Sequence, residues 1–328
     1  MIRITNAAMC AIATLACLCA IHTTGYAKDT SVETILDDLN NPRGVAVRPG
    51  GTASEYEVYV ADAGAGRVIR IRSEQAGEAA DAITGFDVKA GPNVLLFVDR
   101  DHLVVGCEGT PAIRMYELVD QPTSQSADQP KQSVESAVGP EMEAAFAFAR
   151  TRPNDKVPDM LIVAVKREGS AVTLGRVPIR AGTLDKLSTF VGNSQGRLPR
   201  GVAVGEQGYI AVSESDSSTD PSRNVLTFYD PASGATLVTI PILLRHFFDL
   251  AYHPTNGNLY ALDSSGDGEQ GGVYRLDDAS EPGKPACKAV KIAAINKPTA
   301  LAFAPNGTLY ITTANDKQGK LLSISNDL

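Results

Sequence analysis

Tryptophan is absent from this 328-residue chain, and histidine occurs only as His22, His102, His246 and His253. With so few imidazoles, and no His-x-His, His-Glu-x-x-His or Cys-x-x-Cys spacing, zinc chemistry has no ligand set to work with. Cysteine is equally sparse. Cys10, Cys17 and Cys19 lie in the first 27 residues, which leaves Cys107 and Cys287, too few for a disulfide framework. These two fall in distant segments, so unbridged thiols are expected. Positive charge is not in excess either, since 30 Lys and Arg stand against 38 Asp and Glu, a net charge of −8. Such a surface repels phosphate backbones, which excludes nucleic acid as a partner. No basic amphipathic stretch marks a membrane surface.

The one long apolar run lies at the start, from Ala7 to Ile21, behind a single basic residue, Arg3, and ahead of Gly25-Tyr26-Ala27. The run is too short to span a bilayer, and the small residues at 25 and 27 fit a cleavage site, so residues 1–27 read as a signal peptide. None of the three leader cysteines has Leu three residues before it, which argues against a lipid anchor. The expected mature chain is exported, periplasmic or secreted, and a monomer.

What the sequence has in abundance is repetition. Pro42-Arg43-Gly44-Val45-Ala46-Val47 returns as Pro199-Arg200-Gly201-Val202-Ala203-Val204. Weaker copies of the strand are Leu95-Leu96-Phe97, Phe146-Ala147-Phe148, Leu250-Ala251-Tyr252 and Leu301-Ala302-Phe303, at spacings of 48 to 56 residues. A unit of that length cannot bury its apolar face alone and must stack on its neighbours. In most copies a Pro and Gly turn follows, as in His253-Pro254-Thr255-Asn256-Gly257, and then a second strand such as Leu259-Tyr260-Ala261-Leu262. A third and a fourth strand complete each unit.

The count gives an all-β chain of six four-stranded blades, a six-bladed β-propeller over residues 28–328 with blades starting near 44, 94, 145, 201, 249 and 300. The sixth blade lacks an outer strand at its end. Ser31-Val32-Glu33-Thr34-Ile35-Leu36 supplies one from the front, so residues 31–36 are expected to close the ring. The Gln-, Ser- and Pro-rich stretch within 119–133 reads as a flexible loop of blade two.

The phrase Pro42 to Val47, followed by Tyr59-Val60-Ala61-Asp62-Ala63-Gly64-Ala65-Gly66-Arg67-Val68, closely resembles the NHL-type propeller repeat. The match is strong in blade one, moderate in blades four to six and weak in blades two and three. Without Trp, the Trp-Asp, kelch-type and Asp-box signatures are excluded.

In a propeller, the loops leading into the inner strands and those joining the second and third strands share one face, around the axial channel. The residues leading into the inner strands are Arg43, Asn93, Ala144, Arg200, Phe248 and Thr299. Arg43 and Arg200 belong to opposed blades. Either they hold a carboxylate or sulfate between them, or each pairs locally with a neighbouring loop. At the end of the second strands, Asp62 and Asp263 either ligate Ca²⁺ together with Asn93 or Asp249, or clamp their own turns. In blade one the resemblance to the NHL repeat implies an Asp62–Arg67 clamp.

A more distant similarity, to the gluconolactonase and senescence-marker propellers, implies one axial divalent ion held by Glu, Asn and Asp. This chain has no matching Glu before blade one and no full set of Asn. Two acidic loops, Ser213-Glu214-Ser215-Asp216 with Asp220 and Asp263 to Glu269 with Asp267, form an acidic rim without EF-hand spacing. Gly192-Asn193-Ser194-Gln195-Gly196 has nucleophile-elbow spacing but no helix to follow it. His246, beside Arg245 in the loop into blade five, is the one candidate general base.

Two functions follow as expectations. The first is a binding module that takes a protein or glycan on its loop face, with Arg43, Arg200, Asn93 and Asp249 as contacts. The alternative is a Ca²⁺-dependent hydrolase or lyase of the lactonase type acting on a small sugar-derived substrate. Export is directly measurable: N-terminal sequencing of the mature protein should begin at Lys28, and an intact Met1 would remove the signal-peptide reading.

Overall fold

The computed structural model describes residues 31–328 except 73–77, 110, 119–123, 138–140, 168, 170–171, 192–196, 216–222, 267–268, 316–317 and 326–327. The leader, the Gly192–Gly196 turn, and Asp216, Asp220 and Asp267 of the acidic rim therefore lie outside the described residues.

Six sheets, antiparallel within each blade's main strands, follow one another along the chain as a six-bladed β-propeller. The first strand is β1 (Glu33–Leu39). Blade one is β2 (Pro42–Pro49), β3 (Tyr56–Asp62), β4 (Arg67–Arg72) and β5 (Ala79–Thr84). Blade two is β6 (Pro92–Phe97), β7 (His102–Cys107) and β8 (Ile113–Glu117), followed by two short strands, β9 (Gln125–Ser126) and β10 (Gln132–Ser133). Blade three is β11 (Met142–Arg150), β12 (Met160–Arg167) and β13 (Val172–Arg180), with β14 (Thr183–Leu184) and β15 (Ser188–Val191) along its outer edge. Blade four is β16 (Leu198–Val204), β17 (Ile210–Ser215), β18 (Val225–Tyr229) and β19 (Thr236–Pro241). Blade five is β20 (Phe247–Tyr252), β21 (Leu259–Asp263), β22 (Gly272–Asp278) and β23 (Cys287–Ala294). Blade six is β24 (Pro298–Phe303), β25 (Leu309–Asn315) and β26 (Gln318–Ile324).

The missing strand of blade six is β1, which pairs with β26 through Glu33↔Ser323 and Leu39↔Gly319. Closure by an N-terminal outer strand is therefore observed, over Glu33–Leu39 rather than the expected residues 31–36. Apolar side chains from successive blades form one buried cluster at each of the six blade interfaces, including that between blades six and one. Each blade thus buries both faces against neighbours, which a stacked repeat requires.

The stretch expected to be a flexible loop is docked along its described part. Its β9 adds a parallel strand to the outer edge of blade one, Ile83↔Gln125 and Thr84↔Ser126. Ala127 is fully buried, and its carbonyl accepts the Tyr116 hydroxyl at 2.8 Å. A buried phenol needs an acceptor, and this backbone supplies it. Further on, Ser136 bridges to Leu187 of blade three. Cys107 is buried in blade two and Cys287 half-buried in blade five, both as free thiols; burial pushes them up to about 11 and about 12.

On the face away from the strand-leading residues, Arg48 ties blade one to blade two. It is 4% exposed and donates to the Arg100 and Leu118 carbonyls at 2.6 and 3.2 Å. It also pairs with Glu57 and Asp101 at 3.0 and 3.1 Å.

The glycines of the repeated phrase have a steric reason. A Cβ on Gly44 would lie 2.8 Å from the Asn93 carbonyl, and one on Gly201 would lie 2.6 Å from the Phe248 carbonyl. In both blades the next inner strand passes over this glycine. Gly201→Ala should lower the unfolding free energy by roughly 2 kcal/mol, the usual cost of overpacking against backbone, measured by urea denaturation. An unchanged midpoint would show that blades four and five are not in contact there.

Candidate binding site at the channel mouth

The side chains at the channel mouth owe their direction to a backbone irregularity repeated around the ring. In every blade, the register between first and second strands slips at the first residues of the inner strand. The residues left out of register are Arg43, Asn93, Glu143, Arg200, the pair Phe248 and Asp249, and Thr299. A bulge turns its extra side chain out of the strand's alternation. Here it turns most of them inward, onto a cavity of about 240 Å³ lined by Arg43, Asn93, Arg200, Phe248, Asp249 and Thr299.

Blade three departs from this pattern. Its inner strand has a second slip, between Ala145 and Ala147, which brings Phe146 rather than Ala144 to the cavity wall. Double slippage leaves no mark in a one-residue alignment of the repeats. Glu108, just after the second strand of blade two, is a further lining residue that the strand-leading positions do not reveal.

Arg43 is engaged locally. Its Nη1 reaches Glu108 Oε1 at 2.5 Å and Asn93 Oδ1 at 2.9 Å. Both partners of the ion pair are more than a third exposed, so it contributes little to stability. Asn93 is 8% exposed, and its Nδ2 has no hydrogen-bond partner among the described residues. An unsatisfied buried amide donor typically costs 1–3 kcal/mol, and this one belongs to a residue of the cavity wall.

Arg200 differs from its counterpart across the ring. Among the described residues it has no carboxylate partner, and its hydrogen bond runs from Nε to Ser215 Oγ at 3.4 Å. Burial alone holds its guanidinium below the usual value. Asp249 is the converse. Its enclosed carboxyl is pushed up to about 6 by burial, eased only by the amides of Leu301 and Leu250, at 3.1 and 2.9 Å. The neighbouring walls are tied down: Thr299 Oγ1 donates to the Pro42 carbonyl at 2.8 Å, and Ser213 Oγ donates to the Phe248 carbonyl.

The remaining sequence candidates stand elsewhere. Asp62 is fully buried and accepts Asn40 N–H at 2.6 Å and Arg67 Nε at 3.0 Å. Asp263 accepts the backbone amides of Arg245 and Ser265 at 2.7 and 2.9 Å, and the Ser265 hydroxyl at 2.5 Å. Both hold loops together and neither lines the cavity. His246 is exposed and also does not line it. Glu214 of the acidic rim is 2% exposed and accepts the Thr227 and Tyr229 hydroxyls at 2.7 and 2.8 Å.

A calcium ion would need six to eight oxygens. At the cavity, Glu108 is neutralised by Arg43 and Asn93 Oδ1 is taken by the same guanidinium, so Asp249 is the one lining carboxylate left without a cation among the described residues. Two guanidinium groups share the space. Among the described residues no three His, Cys, Asp or Glu side chains are grouped to hold a metal. The residues present do not fit an axial divalent ion.

No family model and no curated protein sequence matches the chain. Solved structures do share its fold. A gluconolactonase of Xanthomonas campestris superposes with a TM-score of 0.63 at 16% identity, covering 90% of this chain and 89% of its own. A glucose dehydrogenase gives 0.60 at 14% identity, covering 90% and 100%, and a luciferin-regenerating enzyme 0.57 at 15%, covering 91% and 96%. The chain is thus a six-bladed propeller similar in fold to gluconolactonase-type propellers, and at these identities the likeness extends to the fold alone.

The raised Asp249 value carries a sign for stability. A carboxyl that holds its proton more tightly when folded contributes stability that is complete below the unfolded value of 3.8 and is lost as the pH climbs through about 6. Thermal melts of wild type and Asp249→Asn should therefore diverge with pH, the wild type gaining on the variant between pH 7 and pH 5. Parallel profiles would place the carboxyl in water.

Proposed function

We propose that the protein is an exported binding module whose ligand, a small molecule or the end group of a glycan or protein partner, enters the axial cavity on the loop face. The observation that carries this reading is the pairing, in one cavity, of an unsatisfied buried amide at Asn93 with an Arg200 guanidinium that has no counter-ion among the described residues. Burying polar groups without partners is costly, and proteins keep such groups chiefly where something else satisfies them. The lining includes Phe146 and Phe248, and a mostly apolar pocket with a few convergent polar groups is the usual form of a small-ligand site. Export rests on the apolar leader.

The second reading, a metal-dependent hydrolase of the lactonase type, is favoured by the fold shared with a gluconolactonase. The donor set at the cavity speaks against it.

The two readings separate in one set of measurements. Mature wild type and Arg43→Ala with Arg200→Ala are each dialysed against a cell extract, and bound small molecules and glycans are identified by mass spectrometry. The wild type should retain acidic compounds that the double variant does not, and its melting temperature should not move with Ca²⁺ or chelator. Equal retention by both proteins would remove the cavity from the binding site. A calcium-dependent rise, worth about 2.7 kcal/mol at a hundred times the dissociation constant, would favour the hydrolase.

A further inference from the structure

The cavity contains charges of both signs that do not neutralise one another. Arg200 and Asp249 belong to adjacent inner strands whose backbones touch: a Cβ on Gly201 would lie 2.7 Å from Asp249 Cα. Yet the Arg200 guanidinium is perturbed by burial alone, and the Asp249 carboxyl by burial and two backbone amides alone. Neither side chain has an ion-pair partner among the described residues, although Arg43 and Glu108 in the same cavity pair at 2.5 Å. A guanidinium without an anion and a carboxylate without a cation among the described residues form a template for a molecule carrying both charges.

Resting on the reading of this cavity as a ligand site, we propose that its ligand is a small dipolar ion of the α-amino-acid type, its carboxylate on Arg200 and its ammonium on Asp249. Three further observations fit that occupant. Asn93, 8% exposed, lines the same cavity, and its Nδ2, without a hydrogen-bond partner among the described residues, is a donor that a small side-chain turn would present to a carboxylate oxygen. Each Asp249 oxygen accepts a single amide, which leaves lone pairs for ammonium N–H groups. Phe248, next to Asp249 in the bulge, and Phe146 add apolar lining for the ligand's side chain. Size agrees as well. A cavity of about 150 Å³ holds benzene, so one of about 240 Å³ suits a molecule of roughly ten non-hydrogen atoms.

Calorimetry on the mature protein at pH 7.5 with four probes of one shape tests this. They are phenylglycine, phenylacetate, which lacks the ammonium, benzylamine, which lacks the carboxylate, and mandelate, which has a hydroxyl in place of the ammonium. Phenylglycine should bind at least tenfold more tightly than each of the others. Asp249→Asn should erase its advantage over phenylacetate, and Arg200→Met its advantage over benzylamine, with each variant's fold checked by its melting curve. Phenylacetate or mandelate binding as well as phenylglycine would overturn the role of Asp249, and benzylamine binding as well would overturn that of Arg200. If no probe binds while the wild type still retains compounds from extract that the double arginine variant loses, the dipolar ligand is wrong and the cavity remains a binding site. If neither occurs, both readings fail.

Discussion

The structure depends on how closely the inner strands pass one another around the axis. At Gly44 and Gly201 the strand of the next blade runs over a residue with no side chain, within 3 Å of where a Cβ would sit. That contact fixes the radius of the ring, and the radius decides which groups meet. Arg43 comes within reach of Asn93 and Glu108 because blade two is that near. Asp249 caps the Leu301 amide of blade six, and Thr299 reaches the Pro42 carbonyl of blade one, for the same reason. The bulge that precedes each contact frees one residue from the pleat, so tight packing and a functional rim arise from a single local device.

Around that inner ring, apolar clusters at all six interfaces supply the bulk of the stabilisation, since burial scales with area and every blade is covered on both faces. Polar groups add direction rather than magnitude. Arg48 is the plainest case, a buried guanidinium that pairs with Glu57 of its own blade and, across the first interface, with two carbonyls and the Asp101 carboxylate. A charge so placed tolerates no change in the spacing of blades one and two without losing partners.

The architecture was legible because strand alternation and turn chemistry are local: Val45-Ala46-Val47 and its copies state a period, and the period dictates six blades. The ring closure was legible because an odd strand at each end has no other partner. The channel mouth was legible where the bulge is of one residue, as at Arg43, Asn93, Arg200 and Thr299. It was not at Phe146, where two slips follow each other, nor was the contrast between a paired Arg43 and an Arg200 with no carboxylate partner among the described residues, which depends on Glu108 arriving from a different strand. The polar composition of residues 124–133 suggested a solvated loop, but hydrogen bonding of Tyr116 and burial of Ala127 are decided by what lies opposite. Asp62 and Asp263 read either as ligands or as turn clamps in sequence because Asp serves both roles; in the structure both accept loop amides.

The strap from blade two makes the ring mechanically uneven. It adds β9 to blade one and bridges Ser136 to Leu187 of blade three, so three consecutive blades are laced together along their outer rim. In blades four and five the outer strands, β19 and β23, end their sheets. The axial cavity straddles this division, with Arg43, Asn93 and Phe146 on the laced half and Arg200, Phe248 and Asp249 on the other. Any adjustment of the cavity to its occupant then meets a braced outer rim on the first half and an unbraced one at blades four and five.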